Sequence, residues 1–107
     1  MNTIVFNGDG VPINKKEAIE YYRIVIDKGN GEAMFRYASI LEKGDGIKED
    51  INEAIKYYKR AADVGNVDAL VRYGLILEYG EGVEMDKKKA SIYYKKAAEN
   101  GNTDGMS

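Results

Sequence analysis

The segment Gly44–Asn66, GDGIKEDINEAIKYYKRAADVGN, returns as GEGVEMDKKKASIYYKKAAENGN from Gly80 and as GDGVPINKKEAIEYYRIVIDKGN from Gly8. The interval is fixed: Tyr21-Tyr22 recurs at Tyr57-Tyr58 and Tyr93-Tyr94, a period of 36. Ala18, Ala54 and Ala90 match, as do Gly29-Asn30, Gly65-Asn66 and Gly101-Asn102. A period in the thirties marks a helical-hairpin solenoid, in which each unit buries its apolar face only against its neighbours. The chain is therefore expected to be all-α: an α-solenoid of stacked antiparallel helix pairs, about two and a half repeats long.

Each unit reads as two helices, A and B. In the A segment Ala33, Tyr37, Ile40 and Leu41 have the i, i+4, i+7, i+8 spacing of one helix face, and Ala69, Tyr73, Ile76 and Leu77 repeat it. The B segment carries Ala54, Tyr57, Tyr58, Ala61 and Ala62. Asn14, Asp50 and Asp86 are N-cap residues, with Glu17 and Glu53 placed for a capping box that Lys89 breaks in the third copy. Gly29, Gly65 and Gly101 are expected to end B helices in a left-handed cap, and Gly44 and Gly80 to end A helices. The pattern predicts helices at about 15–28, 32–43, 51–64, 68–79 and 87–100 within one domain, 1–107, that begins and ends inside a repeat. Met1–Asn7 align with the second half of an A helix, but the β-branched TIVF is poor helix material. Ala90, Tyr94 and Ala97 are expected to face an A helix cut short after Ser107 and to drive self-association through an array end.

What is missing narrows the chemistry. There is no cysteine and no histidine among the 107 residues, which removes disulfides, a thiol nucleophile, His/Cys zinc sites and a Ser-His-Asp triad. A net charge of −2 gives no field for nucleic acid. No apolar run is long enough to insert in a membrane, and no signal peptide is apparent, so a cytoplasmic protein is expected. The GDG and GEG loops offer one acid each, too few oxygens for calcium, and read as turns. No metal or other cofactor is expected.

Other residues admit a bland reading. Eight of the nine tyrosines recur with the period, which favours packing over a surface for stacking bases, and only Tyr79 stands alone, opposite Lys43. Lys87-Lys88-Lys89 with Lys95-Lys96 is diluted by Glu84, Asp86 and Glu99 and reads as a solvated face. Glu42 and Glu78 hold the same repeat position on stacked A helices, with no cleft between them for a glycosidase pair. The chain reads as a non-enzyme.

Along these residues the chain resembles the Sel-one-like repeats, relatives of the tetratricopeptide repeats. The resemblance rests on Ala69, Tyr73-Gly74, Gly80-Glu81-Gly82-Val83, Asp86, Ala90, Tyr93-Tyr94, Lys96-Ala97-Ala98 and Gly101, and on their copies from Gly44 to Ala62. Two departures stand out: Ile24-Val25-Ile26 where later copies have Arg60-Ala61-Ala62 and Lys96-Ala97-Ala98, and Ala38 in place of Gly74. The bulkier residues are expected to widen or reshape the first helix contact. The resemblance implies a scaffold or adaptor that holds other proteins, with no catalytic residue to carry over. A cysteine-rich bacterial subgroup associated with β-lactam handling is set apart by the lack of cysteine here.

By analogy with tetratricopeptide arrays, the stripe Arg36, Ser39, Lys43 and its copy Arg72, Leu75, Tyr79 lines a concave face that takes a peptide or protein, with acidic groups meeting the two arginines. Each arginine has an acid four residues before it, Glu32 or Asp68, so an ordinary surface ion pair is the competing reading. On the concave-face reading, exchanging both arginines for glutamate is expected to abolish binding and leave the melting temperature nearly unchanged, whereas unfolding would mark them as structural. The alternative to a peptide-binding module is a structural piece that extends or dimerises a longer array, a homo-oligomer joined at its ends.

Overall fold

The computed structural model of the protein describes residues 5–6 and 12–106. Five helices follow one another: α1 (Lys15–Ile26), α2 (Gly31–Lys43), α3 (Ile51–Asp63), α4 (Val67–Tyr79) and α5 (Lys87–Met106). They are preceded by two short strands, β1 (Val5–Phe6) and β2 (Pro12–Ile13), paired antiparallel with Val5 opposite Ile13. The half-helix alignment of Met1–Asn7 is thus replaced at Val5–Phe6 by extended chain, as the β-branched composition suggests. The remainder of that segment, with the first-copy glycines Gly8 and Gly10, lies outside the described residues.

Helix starts are set by side chains. Asn14, Asp50 and Asp86 accept hydrogen bonds from the backbone N–H of Glu17, Glu53 and Lys89. The A helices have caps of their own, Asn30 and Asn66, which accept from Ala33 and Ala69 at 2.8 and 2.9 Å. Each such bond satisfies one of the otherwise orphaned first-turn donors. Gly44 and Gly80 end α2 and α4 with φ of 67° and 66°, left-handed values that a Cβ makes costly.

The third B helix departs from its copies. Gly29 and Gly65 have φ of 82° and 93°, but Gly101 is helical and α5 runs through it to Met106, so neither the cap at Gly101 nor a new A-type turn over Thr103–Met106 forms. Leaving a helix at a glycine gives up intrahelical bonds, and in the earlier copies the packing of the next A helix offsets that loss. In α5 the hydrogen-bond ladder continues through Gly101 instead.

One apolar core runs the length of the stack. Tyr37, Ala38 and Leu41 of α2 meet Ala54, Tyr58 and Ala61 of α3; Tyr73, Ile76 and Leu77 of α4 meet Ala90, Tyr93 and Ala97 of α5. The small residues on the B helices let the A helices approach closely. Ala90 and Ala97 are buried in this contact with α4, not turned toward an absent partner, and Tyr94 lies on Gly74. The expected uncovered face is therefore occupied. At Gly74 an added Cβ would sit 2.6 Å from Cε1 of Tyr94, which explains why glycine stands there. Among the departures of the first copy, Ile24 is exposed, whereas Ile26 is buried and Val25 packs on the core.

A candidate interaction surface on the repeat array

Two hydrogen bonds recur within the repeats. Tyr58 on α3 donates to Glu42 on α2 at 2.8 Å, and Tyr94 on α5 donates to Glu78 on α4 at 2.6 Å. Burial, followed by the adjoining carboxylate, pushes both hydroxyls up to about 12. The paired glutamates are latches between helices, and the tyrosine pairs are split by role. Tyr58 and Tyr94 make these latches, while Tyr57 and Tyr93 pack edge-to-face on Tyr37 and Tyr73, each with centroids 5.0 Å apart.

The sequence-level candidates divide sharply. Arg36 is exposed and donates to Glu32 at 2.8 Å, its i−4 acid. Arg72 ignores its own i−4 acid, Asp68. It donates to Glu42 on α2 and, at 3.2 Å, to Glu81 in the turn after α4, and lies over the ring of Tyr58. Its side chain is only 25% exposed and that of Glu42 28%. Burial opposes the Arg72 charge, yet Glu42 and Glu81 outweigh it and hold its pKa above the ordinary arginine value. Arg72 is thus a tie between repeats. Arg36 has no such tie available, because the position matching Glu42 is Phe6.

The other candidates lie on the outer faces of the same helices. Ser39 is half-buried beside Tyr58, whose pKa it lowers slightly against the larger upward effects. Lys43 is exposed at the end of α2, with no ion pair among the described residues. On α4, Val71, Leu75 and Tyr79 follow at i, i+4, i+8; Val71 is 41% and Tyr79 68% exposed, with Leu75 half-buried. An outward apolar row of this kind is absent from α2, where the equivalents are Phe35, Ser39 and Lys43 and Phe35 packs against Tyr58 at 5.7 Å. Val71 is the member that sequence reasoning missed; its i−4 spacing from Leu75 was the available signal.

Among the described residues no group of three His, Cys, Asp or Glu side chains could hold a metal ion, and no helix is long and apolar enough to cross a membrane. What the helices present is an array of matched pairs with latches inside each pair and ties between them. The model of the Sel1 repeat matches residues 4–30, 31–66 and 67–102, dividing the chain at the A-helix starts seen here. The chain belongs to the Sel1 repeat family. Its members are generally protein-interaction scaffolds.

Solved structures agree on the fold. A Sel1 repeat protein from Oxalobacter formigenes is 33% identical with a TM-score of 0.73 over 88% of this chain and 38% of its own. The protein c5321, a protective antigen present in uropathogenic Escherichia coli strains, is 29% identical with a TM-score of 0.74 over 91% of this chain and 21% of its own. Cysteine rich protein B of Helicobacter pylori is 25% identical with a TM-score of 0.79 over 89% of this chain and 73% of its own. This Sel1 array therefore spans well under half the length of the first two. No curated protein matches the sequence significantly.

Proposed function

We propose that this Sel1 array is a non-enzymatic protein-interaction module whose partner, a peptide or protein segment, lies across the A-helix face. The observation that carries the reading is the outward row Val71, Leu75 and Tyr79 on α4, with exposed Lys43 at the matching end of α2. A monomer gains nothing by exposing an aligned valine and tyrosine on a helix whose opposite face already fills the core. Tyrosine is the type of anchor that dominates interface energies, and a neighbouring ammonium supplies orientation. Arg36 and Ser39 hold the repeat positions on α2 that match Arg72 and Leu75. Arg72 supports the row from beneath, since its guanidinium is held by Glu42 and Glu81. That leaves Lys43 and Arg36, and not a matched arginine pair, to meet any acidic group of the partner.

Photo-crosslinking tests this. A benzophenone amino acid at position 79 is expected to capture a partner protein that the same probe at position 92, exposed on α5, does not. Equal capture from both positions, or none from position 79 with the partner otherwise bound, overturns the assignment to this face. Association of array ends, the alternative role, predicts instead that position 79 captures nothing while the chain self-associates in sedimentation.

A further inference from the structure

A different groove opens between α1 and α3, over the tip of Tyr37. It measures about 370 Å³ and is lined by Arg23, Ile26 and Asp27 of α1, Tyr37 of α2, and Tyr57 and Arg60 of α3. Tyr37 lies roughly a third of a turn round α2 from the Arg36–Ser39–Lys43 stripe, so this groove is on another face. Of the chain's four arginines, Arg36 and Arg72 have carboxylate partners. The other two, Arg23 and Arg60, have none among the described residues, and both line this groove.

Both guanidiniums are nonetheless held in place. Arg23 donates from Nε and Nη2 to the Tyr37 hydroxyl at 3.3 and 3.2 Å, which leaves its Nη1–Nη2 edge open for a two-pronged bond. Arg60 lies over the ring of Tyr57 at 5.2 Å. Asp27, the one acid in the lining, has no ion pair with either arginine.

The next repeat shows what such a groove holds. One period on, Arg23, Asp27, Tyr37, Tyr57 and Arg60 become Lys59, Asp63, Tyr73, Tyr93 and Lys96. There Asp63 accepts from Lys59 at 3.2 Å and from the Tyr93 hydroxyl at 3.3 Å, and Lys96 lies over the Tyr93 ring. The second groove thus closes on a carboxylate of its own, and the first, with stronger donors, does not.

We propose that the groove between α1 and α3 is a binding site for a carboxylate of an acidic peptide segment, taken by the open edge of Arg23 and by Arg60. Asp27 in the lining and Glu20, one turn before Arg23 on α1, already offset part of the two guanidinium charges, so the open donor edges and not a strong field suit the site to a single carboxylate over a dianion. A side-chain carboxylate and a chain-terminal one share this chemistry. The site is separate from the A-helix face and does not depend on it.

The test is a titration followed by nitrogen–proton NMR of the four arginine Nε–Hε groups. The probes are N-acetylated, amidated penta-glutamate, N-acetylated penta-glycine with a free terminal carboxylate, and amidated penta-glutamine. One or both carboxylate probes should shift Arg23 and Arg60 saturably and leave Arg36 and Arg72 nearly still, and the responding probe identifies the carboxylate source. Penta-glutamine should do nothing. The pair Arg23→Gln and Arg60→Gln should weaken binding at least tenfold, and Lys56→Gln should not. Should the double variant lose its helical spectrum, Arg60→Gln alone carries the test. Equal shifts at all four arginines, no saturable shift with either carboxylate, or undiminished affinity in a folded variant overturns the proposal. Backbone signals of Leu75 and Tyr79 in the same titration report the A-helix face independently, so failure of one site is distinguishable from failure of the other.

Discussion

Arg36 and Arg72 occupy the same place in successive repeats, yet one is a solvent-facing ion pair and the other a tie between repeats. The difference lies one repeat upstream. Arg72 finds Glu42 on the preceding A helix, while the residue one period before Glu42 is Phe6. Position within a repeat therefore does not fix a residue's role; the neighbour in the stack does. The same holds for the grooves, where Asp63 is engaged and its copy Asp27 is not.

Reversing the charge of each arginine should give the largest contrast. Arg72→Glu places a carboxylate against Glu42 and Glu81 and removes the cation from the Tyr58 ring, and should cost on the order of 2–4 kcal/mol of stability. Arg36→Glu should cost about 0.5 kcal/mol or less, as for an exposed i,i+4 pair. Urea unfolding of the two variants reads this directly; equal losses would show that the tie is not a stability element. A melting temperature nearly unchanged by reversal is thus expected for Arg36 and not for Arg72.

Next in size is the glycine that separates the two helix pairs. Gly74→Ala gains about 1 kcal/mol in helix propensity but drives a methyl into Tyr94, an overpacking cost of about 1–3 kcal/mol. A net loss near 1 kcal/mol is expected, with the Tyr94–Glu78 bond weakened. Ala38, fully buried at the matching place, shows that the first pair is built around that methyl, so Ala38→Gly should also destabilise. If Gly74→Ala raises the melting temperature instead, the ring moves aside at little cost.

The last effect is absent at neutral pH and shows only in alkali. Tyr58 and Tyr94 are raised to about 12, whereas an unfolded tyrosine ionises near 10. Their contribution to stability is complete below about 10 and is lost as the pH climbs through about 12, because only the unfolded chain gives up these protons in between. Replacing both by phenylalanine should flatten this part of the stability profile; an unchanged slope would place the alkaline transition elsewhere.

Much of this fold was legible in the sequence because repetition shows each helix, cap and core position more than once. The A-helix caps Asn30 and Asn66 recur too, but their Gly-Asn pairs read first as helix ends. What a periodic reading could not find are contacts whose members are not copies of each other. Glu42 and Arg72 lie 30 residues apart on different A helices, and nothing in their spacing says which way each side chain turns. Arg23 and Arg60 hold different repeat positions, and one copy of Arg60 is Ile24, so they form a pair only once α1 and α3 are set side by side. The course of α5 through Gly101 escaped for a related reason. The glycine is identical to its copies, yet only Gly29 and Gly65 are left-handed, and nothing in the residue itself marks the difference.

The ties between repeats also set how the stack bears load. Between residues 31–66 and 67–102 the described residues supply three polar links: Glu42 to Arg72, Asp63 to Tyr93, and the Gly65 carbonyl to Asn100. Between α1 and the repeat after it, the described side chains supply an exposed Lys15–Asp45 pair and the Arg23–Tyr37 bonds. A pull along the stack acts on these seams in series, each carrying the whole tension, so the array is a spring of unequal coils. The seam at α1 yields first, and the two complete hairpins stretch as one stiffer body behind it.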